Sequence, residues 1–178
     1  MNILPVLHTG TLIVVCAPHA AREPVSALAA ELALRGPATV LDAGNRFQPY
    51  LVARILRQHT TDVNNAAKHL FIRRAFTCYQ VLALLEGTPA VRQPYLVLDL
   101  LSSFYDEHVR APEASRLLDA CLYELERLCR QAPVLVTLAP PLVAERTFLL
   151  ERVCARAGRV LVDTIPVPQT CQPVLFPA

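Results

Sequence analysis

The sequence predicts a doubly wound α/β domain, with a mainly parallel sheet and helices on both faces. Six short apolar runs alternate with amphipathic stretches of helical period. Four of the six runs are continuous Val/Leu/Ile blocks, the pattern of parallel strands covered on both faces rather than of half-exposed ones. Strand–helix alternation of this kind is satisfied by right-handed crossovers that lay helices over the sheet.

The elements follow in order. The first run, Leu12–Ala17, leads to a helix over 23–35, where Pro24 fits the first turn because no amide hydrogen is needed there. Gly36-Pro37 ends that helix. The run Ala38–Ala43 precedes a helix over 49–59, and Leu70–Ala75 precedes one over 78–86. After Tyr95–Leu101, Pro112 opens the longest helix, over 112–131. Leu117, Cys121, Leu125 and Leu128 repeat on one of its faces, while Arg116, Asp119, Glu126 and Arg130 fall elsewhere. Pro133–Leu138, a helix over 142–157 and Arg159–Asp163 complete a single domain, residues 1–163. Residues 164–178, with Pro166, Pro168, Pro173 and Pro177, are expected to form neither helix nor central strand. They read as a partner-binding arm or as a tail folded over the sheet edge.

At 178 residues the chain can bury roughly two-thirds of its unfolded surface. With 53% hydrophobic and 18% charged residues it is too apolar for a disordered chain, and a net charge of +2 does not suggest a non-specific polyanion binder. Lys68 is the only lysine, against sixteen arginines. That skew reads either as phosphate recognition or, more simply, as the coding bias of a GC-rich genome. The start of the chain shows no basic leader, and the longest apolar run there, Thr11–Ala17, is too short to span a bilayer. A cytoplasmic protein without membrane attachment is expected. Cys16, Cys78, Cys121, Cys129, Cys154 and Cys171 form no C-x-x-C pair and read as buried free thiols. The histidines show no metal-ligand spacing.

Four segments then point to a family. Leu41-Asp42-Ala43-Gly44-Asn45-Arg46-Phe47-Gln48-Pro49 is similar to a second core strand of the form I-D-T-E-G-T-F-x-P. Arg73-Arg74-Ala75-Phe76-Thr77-Cys78-Tyr79-Gln80 is similar to A-R-A-[YF]-[NT]-x-x-[HY]-Q. Leu96-Val97-Leu98-Asp99, followed by Leu100 to Tyr105, resembles a Walker B strand, and Val134-Leu135-Val136-Thr137 a strand ending V-T-N-Q. Their order and spacing over about residues 10–140 resemble the RecA/RadA strand-exchange family and its recombination paralogues. The resemblance implies a RecA-like P-loop core with the Walker B-like strand beside the first strand, and a partner that is a RecA-type protein or a second copy of the chain.

The departures fall on the positions where that family does its chemistry. No G-x-x-x-x-G-K-[ST] occurs. The alignment puts Cys16 and Ala21 at the P-loop glycines, Arg22 at the lysine and Glu23 at the Ser/Thr. Side chains at His19, Ala20 and Ala21 are expected to oppose the curl that wraps backbone amides around a phosphate. Glu23 puts a negative charge where a hydroxyl would bind Mg²⁺; two unit charges about 4 Å apart repel by roughly 4 kcal/mol at an effective dielectric near 20. The water-activating glutamate falls at Gly44, and Leu138-Ala139 replaces the γ-phosphate-sensing Asn-Gln. Pro140-Pro141 running straight into a helix leaves no room for a long DNA-gripping loop.

A vestigial nucleotide site at Cys16, Ala21, Arg22, Glu23, Gly44 and Asp99 is therefore expected, with no catalytic residue, no metal and no cofactor. Asp99 reads as a hydrogen-bonded strand-end residue. The function implied is a non-hydrolysing, pseudo-ATPase interaction module of DNA recombination or repair. The alternative is an ATP-binding or slow ATPase that uses Arg22 for phosphate and Asp99 with Asp106 for Mg²⁺. An acidic cluster of Asp99 with Asp106, Glu107 and His108 is less favoured, because consecutive residues rarely converge on one ion. Ser102-Ser103 lacks a nucleophile-elbow context. A basic stretch with aromatics (Arg54, Arg57, Lys68, His69, Arg73, Arg74, with Phe71 and Phe76) suggests weak contact with single-stranded DNA. Arg73 and Arg74 are adjacent in a strand and so point to opposite faces, which puts one of them at an edge or in an ion pair.

Overall fold

The computed structural model describes residues 7–163. The tail expected at 164–178, with Cys171, lies outside the described residues. All six expected strands form: β1 (Leu12–Cys16), β2 (Ala38–Asp42), β3 (Leu70–Arg74), β4 (Tyr95–Leu98), β5 (Val134–Leu138) and β6 (Arg159–Val162). They make one sheet in the order β3-β2-β4-β5-β1-β6, and every pairing is parallel.

The helices are α1 (Arg22–Ala33), α2 (Pro49–His59), α3 (Val63–Lys68), α4 (Cys78–Glu86), α5 (Ala111–Cys129) and α6 (Thr147–Arg156). Period-two alternation in the strands divides the core between the two faces. Ile13, Val15, Val40, Leu96 and Leu135 pack with Val25, Leu28 and Leu32 of α1 and Val52 and Leu56 of α2. Leu12, Val14, Leu41, Val97 and Val136 point the other way, to Val81 and Leu85 of α4, to Leu117, Cys121, Leu125 and Leu128 of α5, and to Leu149 and Val153 of α6. The fold is thus doubly wound. The four central strands are buried along their whole length, as their unbroken apolar runs require.

Three expectations change. The Walker B-like strand β4 does not lie beside β1: β5 pairs with both and separates them. Helix α3 was not foreseen; Asp62 caps it by accepting from the Asn65 amide at 3.1 Å. Pro140-Pro141 does not run straight into a helix. Residues 139–143 form an irregular segment, then a short 3₁₀ turn (Ala144–Arg146), and α6 begins only at Thr147. The connection is nonetheless short.

Among the described residues, no further strand pairs with β3 or β6 at the sheet edges. β3 is uncovered on both faces, with Phe71 53% and Ile72 43% exposed. β6 is mostly exposed as well.

Candidate functional site

The topology sets the site. The chains leaving β1 and β2 run to the face of α1 and α2, whereas those leaving β4 and β5 run to the face of α5 and α6. β1 neighbours β5 and β2 neighbours β4, so at two places adjacent strands send their chains to opposite faces. Such switch points open a crevice beyond the carboxyl ends of the strands. A cleft of about 690 Å³ lies there, lined among others by His19, Arg46, Asp99, Tyr105, Ala139 and Arg146.

Two buried acids end neighbouring strands. Asp42 is fully buried; its Oδ1 accepts from the Arg46 amide at 2.8 Å, and its Oδ2 from the Phe47 amide at 3.2 Å and Arg74 Nε at 3.1 Å. Asp99 is 1% exposed; its Oδ2 accepts from Arg46 Nε at 2.7 Å and its Oδ1 from the Ala139 amide at 3.2 Å. Its own amide donates to Thr137 Oγ1 at 2.9 Å. Arg46 therefore joins the two acids, through its amide to one and its guanidinium to the other.

Asp99 stands at a φ of 51°, in the left-handed region, which ends β4 at Leu98 and turns the chain into the 3₁₀ helix Ser102–Tyr105. Gly44 packs directly on it: a Cβ built on Gly44 would lie 2.5 Å from Asp99 Cβ. Close approach, not conformational freedom, requires glycine there. The position onto which the family's water-activating glutamate falls thus packs against the acid.

The turn after β1 corrects the expectation for its backbone. His19, Ala20 and Ala21 have φ of 54°, 53° and 51°, three consecutive left-handed residues without a glycine. The curl is adopted despite the side chains, at a cost of about 1 kcal/mol or more per residue. Burial of Ala20 and Ala21 and the Ala20 amide bond to Ala17 O at 3.0 Å hold it.

The expected vestigial site divides. Gly44 and Asp99 come together, and Cys16 and Ala21 are buried. Arg22 and Glu23 are exposed and line a separate, shallow pocket with Tyr50 and Arg54. Arg22 and Asp99 thus line different pockets. Asp106 does not join Asp99 either; its Oδ1 pairs with His108 Nδ1 at 2.9 Å on the surface. Each Asp99 oxygen accepts one protein hydrogen bond, and Glu23 lines another pocket. The basic stretch also divides. Arg74 pairs with buried Asp42 and Arg73 donates to Gly87 O at 3.0 Å, while Arg54 and Arg57 remain exposed on α2.

Sequence reasoning missed Arg46, Tyr105 and Arg146 as site residues. Tyr105 donates to Ala139 O at 3.1 Å, and burial, then the charge of Asp99, pushes its hydroxyl pKa up. Burial and the neighbouring Cys154, whose Sγ is 3.7 Å away, push the Cys16 thiol up to about 12. All five described cysteines are free thiols. Among the described residues, no helix is long and apolar enough to cross a membrane. Compared with known proteins, the chain matches no family model and no curated protein.

Proposed function

We propose that the chain is a non-hydrolysing RecA-like protein, keeping the four segments of the resemblance though not the strand order expected from it, and an interaction module in DNA recombination or repair that binds a RecA-type protein through the β3 edge. The observation that carries the first half is the closure around Asp99. Each of its two oxygens is engaged, by Arg46 and by the Ala139 amide, and Gly44 stands against it where a general base would be needed. The position of the family's water-activating glutamate is thus held by a glycine, and Asp99 is engaged by protein donors.

The second half rests on the edge strand. An edge strand with apolar side chains on both faces is a template for a further strand, with main-chain bonds giving affinity and side-chain pockets giving specificity. Phe71, Ile72, Phe76 and Tyr79 are all exposed at or beside this edge. Residues 68–76 carry Lys68 and Arg73 and no acid, Arg74 being matched by Asp42, so charge complementarity favours an extended, acid-bearing segment of the partner.

The test measures binding to the source organism's own RecA-type protein, alongside sedimentation of the pure chain. Saturable binding that Ile72→Lys weakens at least about tenfold, with the fold intact, supports the reading. Binding unaffected by Ile72→Lys, self-association in place of partner binding, or ATP turnover abolished by Asp99→Asn would overturn it.

A further inference from the structure

Two thiols meet where β1 ends, and neither the crevice nor the β3 edge uses them. Cys16 Sγ lies 3.7 Å from Cys154 Sγ, the one thiol pair in contact among the described residues. Regular elements make the contact, not loops. Cys16 is the last residue of β1, where the strand pairs with Leu138 of β5 and Val162 of β6. Cys154 lies on α6, which the fully buried Leu149 and Val153 anchor to the same face of the sheet. The two sulfurs differ in access: Cys16 is buried, whereas Cys154 is half-buried. Cys78, Cys121 and Cys129 are all buried. A disulfide bond is about 2.05 Å long, so closing the contact needs roughly 1.7 Å of approach, which small rotations of two side chains supply.

We propose that Cys16 and Cys154 are a redox modification site, closed to a reversible disulfide by hydrogen peroxide. Cys154, the accessible thiol, attacks the peroxide. An S–O bond forms, the O–O bond breaks, and the departing oxygen takes the thiol proton and leaves as water. Cys16 then attacks the sulfenic sulfur. The S–S bond forms, the S–O bond breaks, and the departing hydroxyl takes the Cys16 proton as a second water. Two thiols lose two electrons in all, and one peroxide is reduced to two waters. A small dithiol reverses the change by thiol–disulfide exchange. Burial and the neighbouring Cys154 hold the Cys16 thiol up at about 12, so the second step is the slower one and quickens as pH rises. The bond would tie the end of β1, which leads into the left-handed turn at His19, to the helix that follows the crevice segment 139–146. Oxidation thereby clamps two walls of the crevice. The site stands independently of nucleotide chemistry and of the β3 edge.

The test treats the reduced full chain with millimolar hydrogen peroxide at pH 8. The chain is then unfolded, its remaining thiols are blocked with iodoacetamide, and it is mapped unreduced by mass spectrometry. A peptide pair joining Cys16 to Cys154 is expected, with two of the six thiols lost and both recovered by dithiothreitol. The two residues are 138 positions apart, so the bond should raise Tm by roughly 5–15 °C. Cys16→Ser should abolish the bond and leave Cys154 as a sulfenic acid that dimedone traps. Cys154→Ser should leave Cys16 reduced; it alters the half-buried position and so keeps the test open if Cys16→Ser does not fold. No bond between the two, a bond from Cys154 to Cys171 or to a second chain, or a bond that lowers Tm would overturn the assignment. So would Cys154 carried to sulfinic acid while Cys16 stays free.

Discussion

Gly44 and Asp99 touch across two adjacent strand ends so closely that no side chain fits between them. A Cβ on Gly44 would meet Asp99 Cβ at 2.5 Å and Oδ2 at 2.8 Å. Gly44→Ala must therefore displace the acid from Arg46 and the Ala139 amide. Overpacking of this kind costs about 1–3 kcal/mol, to be read as a lower denaturation midpoint at unchanged slope. Gly44→Glu should destabilise further and restore no ATP turnover.

Asp42 is a structural acid, because three donors converge on a carboxylate that water does not reach. Asp42→Asn removes the charge and turns one acceptor into a donor facing donors. The expected loss is about 2–3 kcal/mol in equilibrium unfolding. An unaltered midpoint would show that the loop 43–47 does not depend on it.

The left-handed turn stores strain that an exposed site can release. His19 is exposed with φ 54°, so His19→Gly should be neutral to stabilising by up to about 1 kcal/mol, raising Tm by up to roughly 4 °C. The β-branched His19→Val should lower it.

The buried thiols give a sign-defined pH response. Burial pushes Cys16, Cys121 and Cys129 from 9.0 up to about 12, with the neighbouring Cys154 adding to the shift at Cys16. A raised folded pKa means that the unfolded chain loses these protons first. Their stabilisation is intact below about 9 and is lost as pH rises toward about 12. Native protein at pH 8 should leave the three thiols unalkylated by iodoacetamide, while unfolded protein exposes them; mass spectrometry after digestion reads the difference.

On the surface, His108 is raised above 6.5 by its bond to Asp106, and Asp106 is lowered below 3.8 chiefly by the His108 amide and ring. The pair is complete only between the two folded values. It fades as pH rises through that of His108 and as pH falls through that of Asp106. Asp106→Asn should lower the His108 titration midpoint followed by NMR, with little change in stability because both groups are exposed and screened.

Much of the fold was legible because unbroken apolar runs at β1, β2, β4 and β5 report burial on both faces. Strand order was not. The runs of β4 and β5 look alike, and nothing in either says which lies beside β1. Helix α3 escaped because Val63-Asn64-Asn65-Ala66-Ala67-Lys68 has little apolar periodicity, and its one local signal was the cap at Asp62. In the site, the acids at strand ends were visible, but their partners were not. Arg46 follows Asp42 by four residues and reaches Asp99 only because β2 and β4 are neighbours. The turn at His19 to Ala21 was misjudged because residue preference disfavours left-handed alanine, whereas burial around Ala20 and Ala21 overrides it.

The central claim, that the crevice around Asp99 is closed to nucleotide, is tested most directly by thermal unfolding with and without millimolar MgATP. A ligand at a hundred times its Kd stabilises by about 2.7 kcal/mol, roughly 5–10 °C for a domain of this size. No shift is expected. A shift of that order, lost in Asp99→Asn, would show that the site still holds nucleotide and would contradict the account.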